Sequence, residues 1–132
     1  MIGVDTNVLV RFVIDDDAGE FRKATSFLSR RTKDDQAFVS IIVLVEFIWV
    51  LRSRYRYSQE QVAVVIGTLM ASPALVFEEA QFLSTLIRGG KVKSGDLADH
   101  LIAFCAERAG CSHTVTLDEP AAAAIPSMEL LA

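Results

Sequence analysis

The sequence predicts an α/β fold, a three-layer-like sandwich in which helices flank a central, mainly parallel sheet. Short apolar segments alternate along the chain with longer segments of helical periodicity, the pattern of strands joined by helical crossovers. The 132 residues suffice for one domain with a buried core, and the 52% hydrophobic content excludes a disordered chain. We therefore expect a single domain over residues 1–132.

In chain order, the first part of the sequence predicts strand, helix, helix, strand and helix. Apolar runs predict the strands, and apolar residues at helical spacing predict the helices. These elements are a strand at 2–5, helices at 8–14 and 20–31, a strand at 38–39, and a helix from 40 towards 55. Ser40 suits the N-cap of that last helix, because a serine hydroxyl accepts a hydrogen bond from a free amide of the first turn.

The remaining sequence continues the alternation. Ser58 and Gln61 have the spacing of a capping box, which predicts a helix start, and Pro73 breaks the helical pattern. The predicted elements are helices at 58–71, 79–88 and 94–109 and strands at 75–77, 113–117 and 128–131. The pair Gly89-Gly90 and the single Gly110 are expected to end the second and third of these helices.

Composition limits the function classes. The net charge of −4 argues mildly against a nucleic-acid partner, although acids gathered in a site can be neutralised by metal. No apolar run is long enough to span a bilayer, and the amino end lacks the pattern of a signal peptide. We expect a cytoplasmic protein with no membrane role, in which Cys105 and Cys111 are reduced thiols.

Glu46 is the most informative residue, because it is the only charge in the apolar run 38–51. We expect the run to be buried, and an unpaired buried carboxylate costs several kcal/mol. A divalent cation would compensate that cost. A distant basic partner or a neutral, hydrogen-bonded carboxyl group remains an alternative. Trp49 is expected to lie in the core, with packing against a partner as the minor alternative.

Four further aspartates stand at predicted strand ends or helix starts, where an α/β sheet collects its ligands. Asp5 follows the first strand and Asp118 follows the strand at 113–117. Asp96 and Asp99 lie three residues apart, and Asp99 is the better ligand because it shares a face with Ile102 and other sheet-directed positions. Each has a structural alternative: an N-cap for Asp5, dipole stabilisation for Asp96 and Asp99, and a turn acid for Asp118.

An all-oxygen ligand set favours Mg²⁺ or Mn²⁺ over zinc. The other chemistries that the sequence offers are weak. We expect His100 and His113 to be non-catalytic, and neither cysteine has a base beside it in the sequence.

These acidic motifs together resemble those of PIN-domain ribonucleases, and more narrowly of the VapC-type toxins of bacterial toxin–antitoxin pairs. The matching motifs occur in order over essentially the whole chain. They are Val4-Asp5-Thr6-Asn7-Val8-Leu9-Val10-Arg11, Ser40 with Leu44-Val45-Glu46-Phe47, Asp96-Leu97-Ala98-Asp99, and Thr114-Val115-Thr116-Leu117-Asp118.

The resemblance implies an acidic pocket in which Asp5, Glu46, Asp99 and Asp118 bind Mg²⁺ or Mn²⁺ and catalyse RNA hydrolysis. It also implies a PIN-like fold, a tRNA or other structured or single-stranded RNA substrate, a homodimer, and inhibition by a small cognate antitoxin. Asp96 would be an accessory acid. The supporting residues would be Thr6, Asn7 and Thr116, and Arg11 would contact RNA phosphate or the antitoxin.

One departure from the family pattern follows the fourth acid, where the run Glu119-Pro-Ala-Ala-Ala-Ala124 contains no aromatic residue. Glu119 is therefore an alternative to Asp118. The altered segment and the net negative charge also leave a second hypothesis open, a PIN-like module that binds RNA or a partner without cutting. A two-metal phosphatase acting on small phosphate esters is a third.

Overall fold

The computed structural model describes residues 1–88 and 95–131. The chain divides into two compact units, one within Met1–Lys91 and one within Val92–Ala132. Helices alternate with short strands in both, and every pairing between the strands of the described residues is parallel. The predicted α/β fold with a parallel sheet is confirmed. That residues 1–132 form a single domain stays a prediction, and each unit is described by itself below.

The first unit contains a three-stranded sheet in the order β1-β2-β3. Its elements in chain order are β1 (Ile2–Gly3), α1 (Thr6–Val13), α2 (Ala18–Ser29), β2 (Ala37–Val39), α3 (Ile41–Ser53), α4 (Gln59–Met70), β3 (Leu75–Phe77) and α5 (Ala80–Ile87). In the sheet register, Ala37 of β2 pairs with Ile2 on one side and with Leu75 on the other. All three strands therefore end at the same edge, where Asp5, Ser40 and Glu78 follow them.

Side-chain caps fix where the first helices begin. Asp17 accepts a hydrogen bond from the Glu20 amide at the start of α2, and Ser40 accepts one from the Val43 amide at the start of α3. At the start of α4, Ser58 and Gln61 form a complete reciprocal capping box. The predictions for Ser40 and Ser58 are confirmed. A cap of this kind contributes about 1 kcal/mol to stability.

The core of the first unit is built on α3, which buries Leu44, Phe47, Ile48 and Leu51. Helix α4 contributes Val62, Ile66 and Leu69, so the apolar stripe of this helix belongs to the core. Each side chain of this size stabilises the fold by about 1.5–3 kcal/mol when fully buried.

The prediction that the whole run 38–51 is buried is wrong. Glu46 is exposed, and Ile42 and Trp49, which lie one turn away on the same face of α3, are 81% and 66% exposed. The prediction of a core position for Trp49 is wrong for the same reason. An α-helix that is apolar all round buries only the faces on which other elements pack, and this face of α3 is uncovered.

The second unit contains α6 (Leu97–Arg108), β4 (Thr114–Thr116), α7 (Glu119–Ala124) and β5 (Met128–Leu130). Strands β4 and β5 pair in parallel. A small apolar cluster of Ala103, Ala121, Ile125 and Met128 joins α6, α7 and β5. Ile102, expected to face the sheet beside Asp99, is instead 48% exposed, so that prediction is wrong.

One predicted helix start in the second unit is also wrong, and one helix was missed. Helix α6 begins at Leu97 with Asp96 as its N-cap, rather than at residue 94, because the Asp96 side chain accepts a hydrogen bond from the Ala98 amide. Helix α7 was not predicted at all. Residue 94 and the expected helix stop at Gly89-Gly90 lie outside the described residues. Among the residues that are described, no helix has the length and apolar character needed to cross a membrane.

Candidate acidic site

Asp5 lies between β1 and α1 at the carboxyl-end edge of the three-stranded sheet. Its backbone is extended (φ −83°, ψ 160°), and its side chain caps α1 by accepting a hydrogen bond from the Thr6 amide at 2.9 Å. That bond occupies Oδ1 only, and the residue is exposed. The capping role proposed as an alternative for Asp5 is therefore real, and it leaves a carboxylate oxygen open to solvent.

Thr6 connects Asp5 to Glu46. Its side chain is buried, with 4% of the residue exposed, and its hydroxyl donates a hydrogen bond to Glu46 Oε1. The same residue therefore holds one carboxylate through its amide and the other through its hydroxyl, although the two acids are far apart in sequence. Thr6 thus fixes a pair of accessible carboxylates, Asp5 and Glu46, on the first unit.

The second unit gathers Asp96, Asp99 and Asp118 around the starts of two helices. Asp96 Oδ1 accepts a hydrogen bond from the Ala98 amide at 2.9 Å, and Asp118 Oδ1 accepts one from the Ala121 amide at 3.0 Å. The Asp118 amide donates to Thr116 Oγ1 at 3.1 Å. Two of the three acids, Asp96 and Asp118, are therefore N-caps, and Thr116 also fixes the backbone at Asp118.

Asp99 lies in the first turn of α6, and its pKa is raised above the ordinary value for an aspartate. Burial is the main cause, because it disfavours the charged form. The negative charges of Asp96 and Asp118 raise the pKa further, and His100 opposes them. Three acids whose charges repel one another are a poor arrangement for stability, and such arrangements concentrate at functional sites.

An open groove of about 670 Å³ adjoins Asp5 on the first unit. We call it the Asp5 groove. It is lined by Ile2, Gly3, Val4, Asp5, Asn7, Val8, Arg11, Glu20, Lys23, Ala24, Phe27 and Arg54. The predicted supporting residue Asn7 therefore lies beside Asp5, exposed in the groove.

Arg11, predicted to contact RNA phosphate or an antitoxin, is engaged within the protein. Its guanidinium group pairs with Asp16 at 2.5 Å, and the Tyr55 hydroxyl donates to the other oxygen of Asp16 at 2.8 Å. The hydrogen bond from Tyr55, together with the charge of Arg11, lowers the pKa of Asp16. Arg11 therefore lines the groove as half of an ion pair.

The structure brings the predicted acids together in two groups, Asp5 with Glu46 on the first unit and Asp96 with Asp99 and Asp118 on the second. Within the described ranges 1–88 and 95–131, no three acidic, histidine or cysteine side chains form a complete metal-binding cluster. The side chains in both groups offer carboxylate oxygens, and Asp5 and Glu46 are exposed. Their chemistry fits a hard cation such as Mg²⁺ or Mn²⁺.

Glu119 and His113, which also lie in the second unit, are both at the surface. Glu119 is exposed in the first turn of α7, one residue after Asp118, so its substitution for Asp118 stays a prediction. The His113 ring lies 2.9 Å from the Ser112 hydroxyl and 3.8 Å from Glu129. Glu78 was missed, although it follows β3 as Asp5 follows β1. Its carboxylate accepts a hydrogen bond from the Ile41 amide at 2.8 Å and so caps α3.

The chain matches the family described as PIN domain over residues 2–124. The matched segment includes elements of both compact units and all five predicted acids. No curated protein sequence matches the chain.

Proposed function

Because the chain belongs to the PIN-domain family, whose members are generally metal-dependent nucleases, we propose that it is an Mg²⁺- or Mn²⁺-dependent endoribonuclease. The proposed metal ligands are Asp5 and Glu46 on the first unit and Asp99 and Asp118 on the second, with Asp96 as an accessory acid. The observation that carries the proposal is the pair of exposed carboxylates, Asp5 and Glu46, that Thr6 holds through its amide and its hydroxyl.

The chain's own residues would position charge and protons. The Thr6 hydroxyl orients the Glu46 carboxylate, and the Thr6 amide orients Asp5. Asp99, whose pKa is raised, keeps its carboxyl proton to a higher pH than an ordinary aspartate. A bound divalent cation would supply the remaining chemistry, activating a water molecule and stabilising charge on the leaving oxygen.

We also propose the biological role that the motifs suggest, a toxin that cuts tRNA or other structured or single-stranded RNA in the cytoplasm. It would act as a homodimer and be neutralised by a small cognate antitoxin. The support for this role is the resemblance of the four motifs to VapC-type toxins. Suppression of its growth inhibition by a small protein encoded next to it would identify the antitoxin.

The test is cleavage of labelled total tRNA by the purified protein in Mg²⁺, Mn²⁺ or chelator. We expect Glu46→Gln and Asp5→Asn to abolish metal-dependent cleavage, because each removes a ligand charge and keeps an oxygen that accepts the Thr6 bond. Glu107→Gln, the same change at an exposed position on α6, is the matched control and should cleave normally. Wild-type cleavage by Glu46→Gln would refute the proposed metal site.

One observation favours a second candidate, a PIN-like module that binds RNA or a protein partner without cutting. Asp5, Asp96 and Asp118 each cap a helix, so a structural role alone explains the presence of an acid at three of the five positions. RNA binding without turnover in any of the metals would favour this candidate.

A further inference from the structure

Two basic side chains in the Asp5 groove have no assigned role. Lys23 is exposed on α2, and Arg54 is exposed at the C-terminal end of α3. Neither side chain forms an ion pair or a hydrogen bond with any residue in the described part of the chain, whereas Arg11 in the same groove is paired with Asp16. Lys23 and Arg54 therefore each present an unpaired side chain to the groove, on a protein whose net charge is −4.

Helix electrostatics account for only one of these cations. Arg54 is the C-cap of α3, where a positive charge is favoured by the helix dipole. Lys23 lies in the middle of α2, where that effect is absent. Two different elements therefore direct a cation to the same groove, where each cation can contact a separate negatively charged group of an extended ligand. Glu20, which also lines it, is the one acid there besides Asp5.

We propose that the Asp5 groove binds the phosphodiester backbone of single-stranded RNA beside the bond to be cut, with Lys23 and Arg54 contacting phosphates. This inference rests on the proposed nuclease function, because Asp5 lies in both the groove and the cleavage centre. Phe27 gives the groove an aromatic wall against which a ribose or base can pack. Its ring is held in place by the Arg31 guanidinium, 4.8 Å from the ring centre.

An acidic segment of a protein partner would also be attracted by two cations. Single-stranded RNA is favoured because the groove is continuous with Asp5, so a strand bound there leads directly to the proposed cleavage centre. It also combines an aromatic wall with basic side chains, the pairing that binds single strands without regard to sequence.

The test measures binding separately from cleavage. A fluorescein-labelled single-stranded oligoribonucleotide is titrated with protein in chelator, and anisotropy gives the affinity at several salt concentrations. We expect the double variant Lys23→Gln/Arg54→Gln to bind more weakly, with a salt dependence shallower by about 1.4 logarithmic units per decade, since each phosphate contact contributes about 0.7. Lys33→Gln/Arg30→Gln, with the same charge change on exposed side chains outside the groove, should keep the wild-type slope.

Equal slopes for the two double variants would overturn the proposal. Binding of a polyglutamate peptide that depends on Lys23 and Arg54, together with RNA binding that does not, would overturn it in favour of an acidic protein partner. Failure of the nuclease function gives a different result, because RNA then binds with a groove-dependent slope in chelator and no metal produces cleavage.

Discussion

The Thr6 hydroxyl offers a way to separate positioning of the acids from folding. In Thr6→Val a methyl group replaces the hydroxyl, and the side chain keeps its shape and its branching. The backbone amide of this residue still donates its hydrogen bond to the Asp5 carboxylate. The bond to Glu46 is lost. Thr6→Ser is the matched variant, because it keeps the hydroxyl and removes the buried methyl group instead.

The two variants should lose similar amounts of stability and differ in activity. A hydrogen bond to a charged group contributes about 1.5–3 kcal/mol, but Glu46 is exposed and water replaces the lost donor, so we expect Thr6→Val to lower the free energy of unfolding by about 1 kcal/mol or less. Loss of an orienting partner typically lowers metal affinity or activity by about 10–100-fold. That loss corresponds to about 1.4–2.7 kcal/mol of transition-state stabilisation. Thr6→Ser should lose about 1 kcal/mol of stability and keep its activity.

Urea unfolding gives the stability of both variants, and tRNA cleavage in Mg²⁺ gives their activity. Isothermal titration with Mn²⁺ provides a readout that does not depend on turnover. If Thr6→Val cleaves RNA and binds Mn²⁺ as the wild type does, Thr6 does not position Glu46 and the reasoning is refuted. If Thr6→Val loses activity only because it unfolds, urea unfolding will show a larger loss of stability for Thr6→Val than for Thr6→Ser.

Two further predictions concern the second unit. The pKa of Asp99 is raised in the folded protein, so its contribution to stability is fully present below the unfolded pKa and is lost as pH rises through the folded value. Asp99→Asn should therefore raise the melting temperature in chelator at pH 7, and it should abolish cleavage in Mg²⁺. The gain in melting temperature should vanish on acidification, because the wild-type carboxyl group is then protonated as well. An unchanged melting temperature at pH 7 would contradict the prediction. Gly95 has a φ of +101°, and a Cβ added there would lie 3.0 Å from the Cβ of Ala124. Gly95→Ala should therefore lower the free energy of unfolding, measured in urea, by about 1–3 kcal/mol. Gly110→Ala, with φ +95° and open space, should cost less, and equal losses would show that backbone strain alone acts.

Local signals predicted most of the fold. The capping residues Ser40 and Ser58 mark helix starts because their hydroxyl groups satisfy amides within the same turn, a relation that depends only on sequence spacing. The alternation of apolar segments predicted the parallel pairing. Helix α7 was missed because its alanines carry no periodicity, although Pro120 in its first turn and the high helix propensity of alanine were signals.

Long-range relations were less accessible. The sequence singled out Glu46, but for a wrong reason, because nothing in an apolar run says which face of a helix another element covers. The bond from Thr6 to Glu46 joins residues on α1 and α3, and the Lys23 and Arg54 side chains meet in one groove from α2 and α3. Such contacts depend on how the helices pack on the sheet, which periodicity does not specify.

The exposed position of Trp49 has a spectroscopic consequence. It is the only tryptophan in the chain, it is 66% exposed in the folded protein, and it lies three residues after Glu46 on α3. Its indole already contacts water in the native state, so its emission is a poor signal for denaturation. The same side chain is a built-in fluorophore for any molecule that covers the Glu46 face of α3, with no label attached.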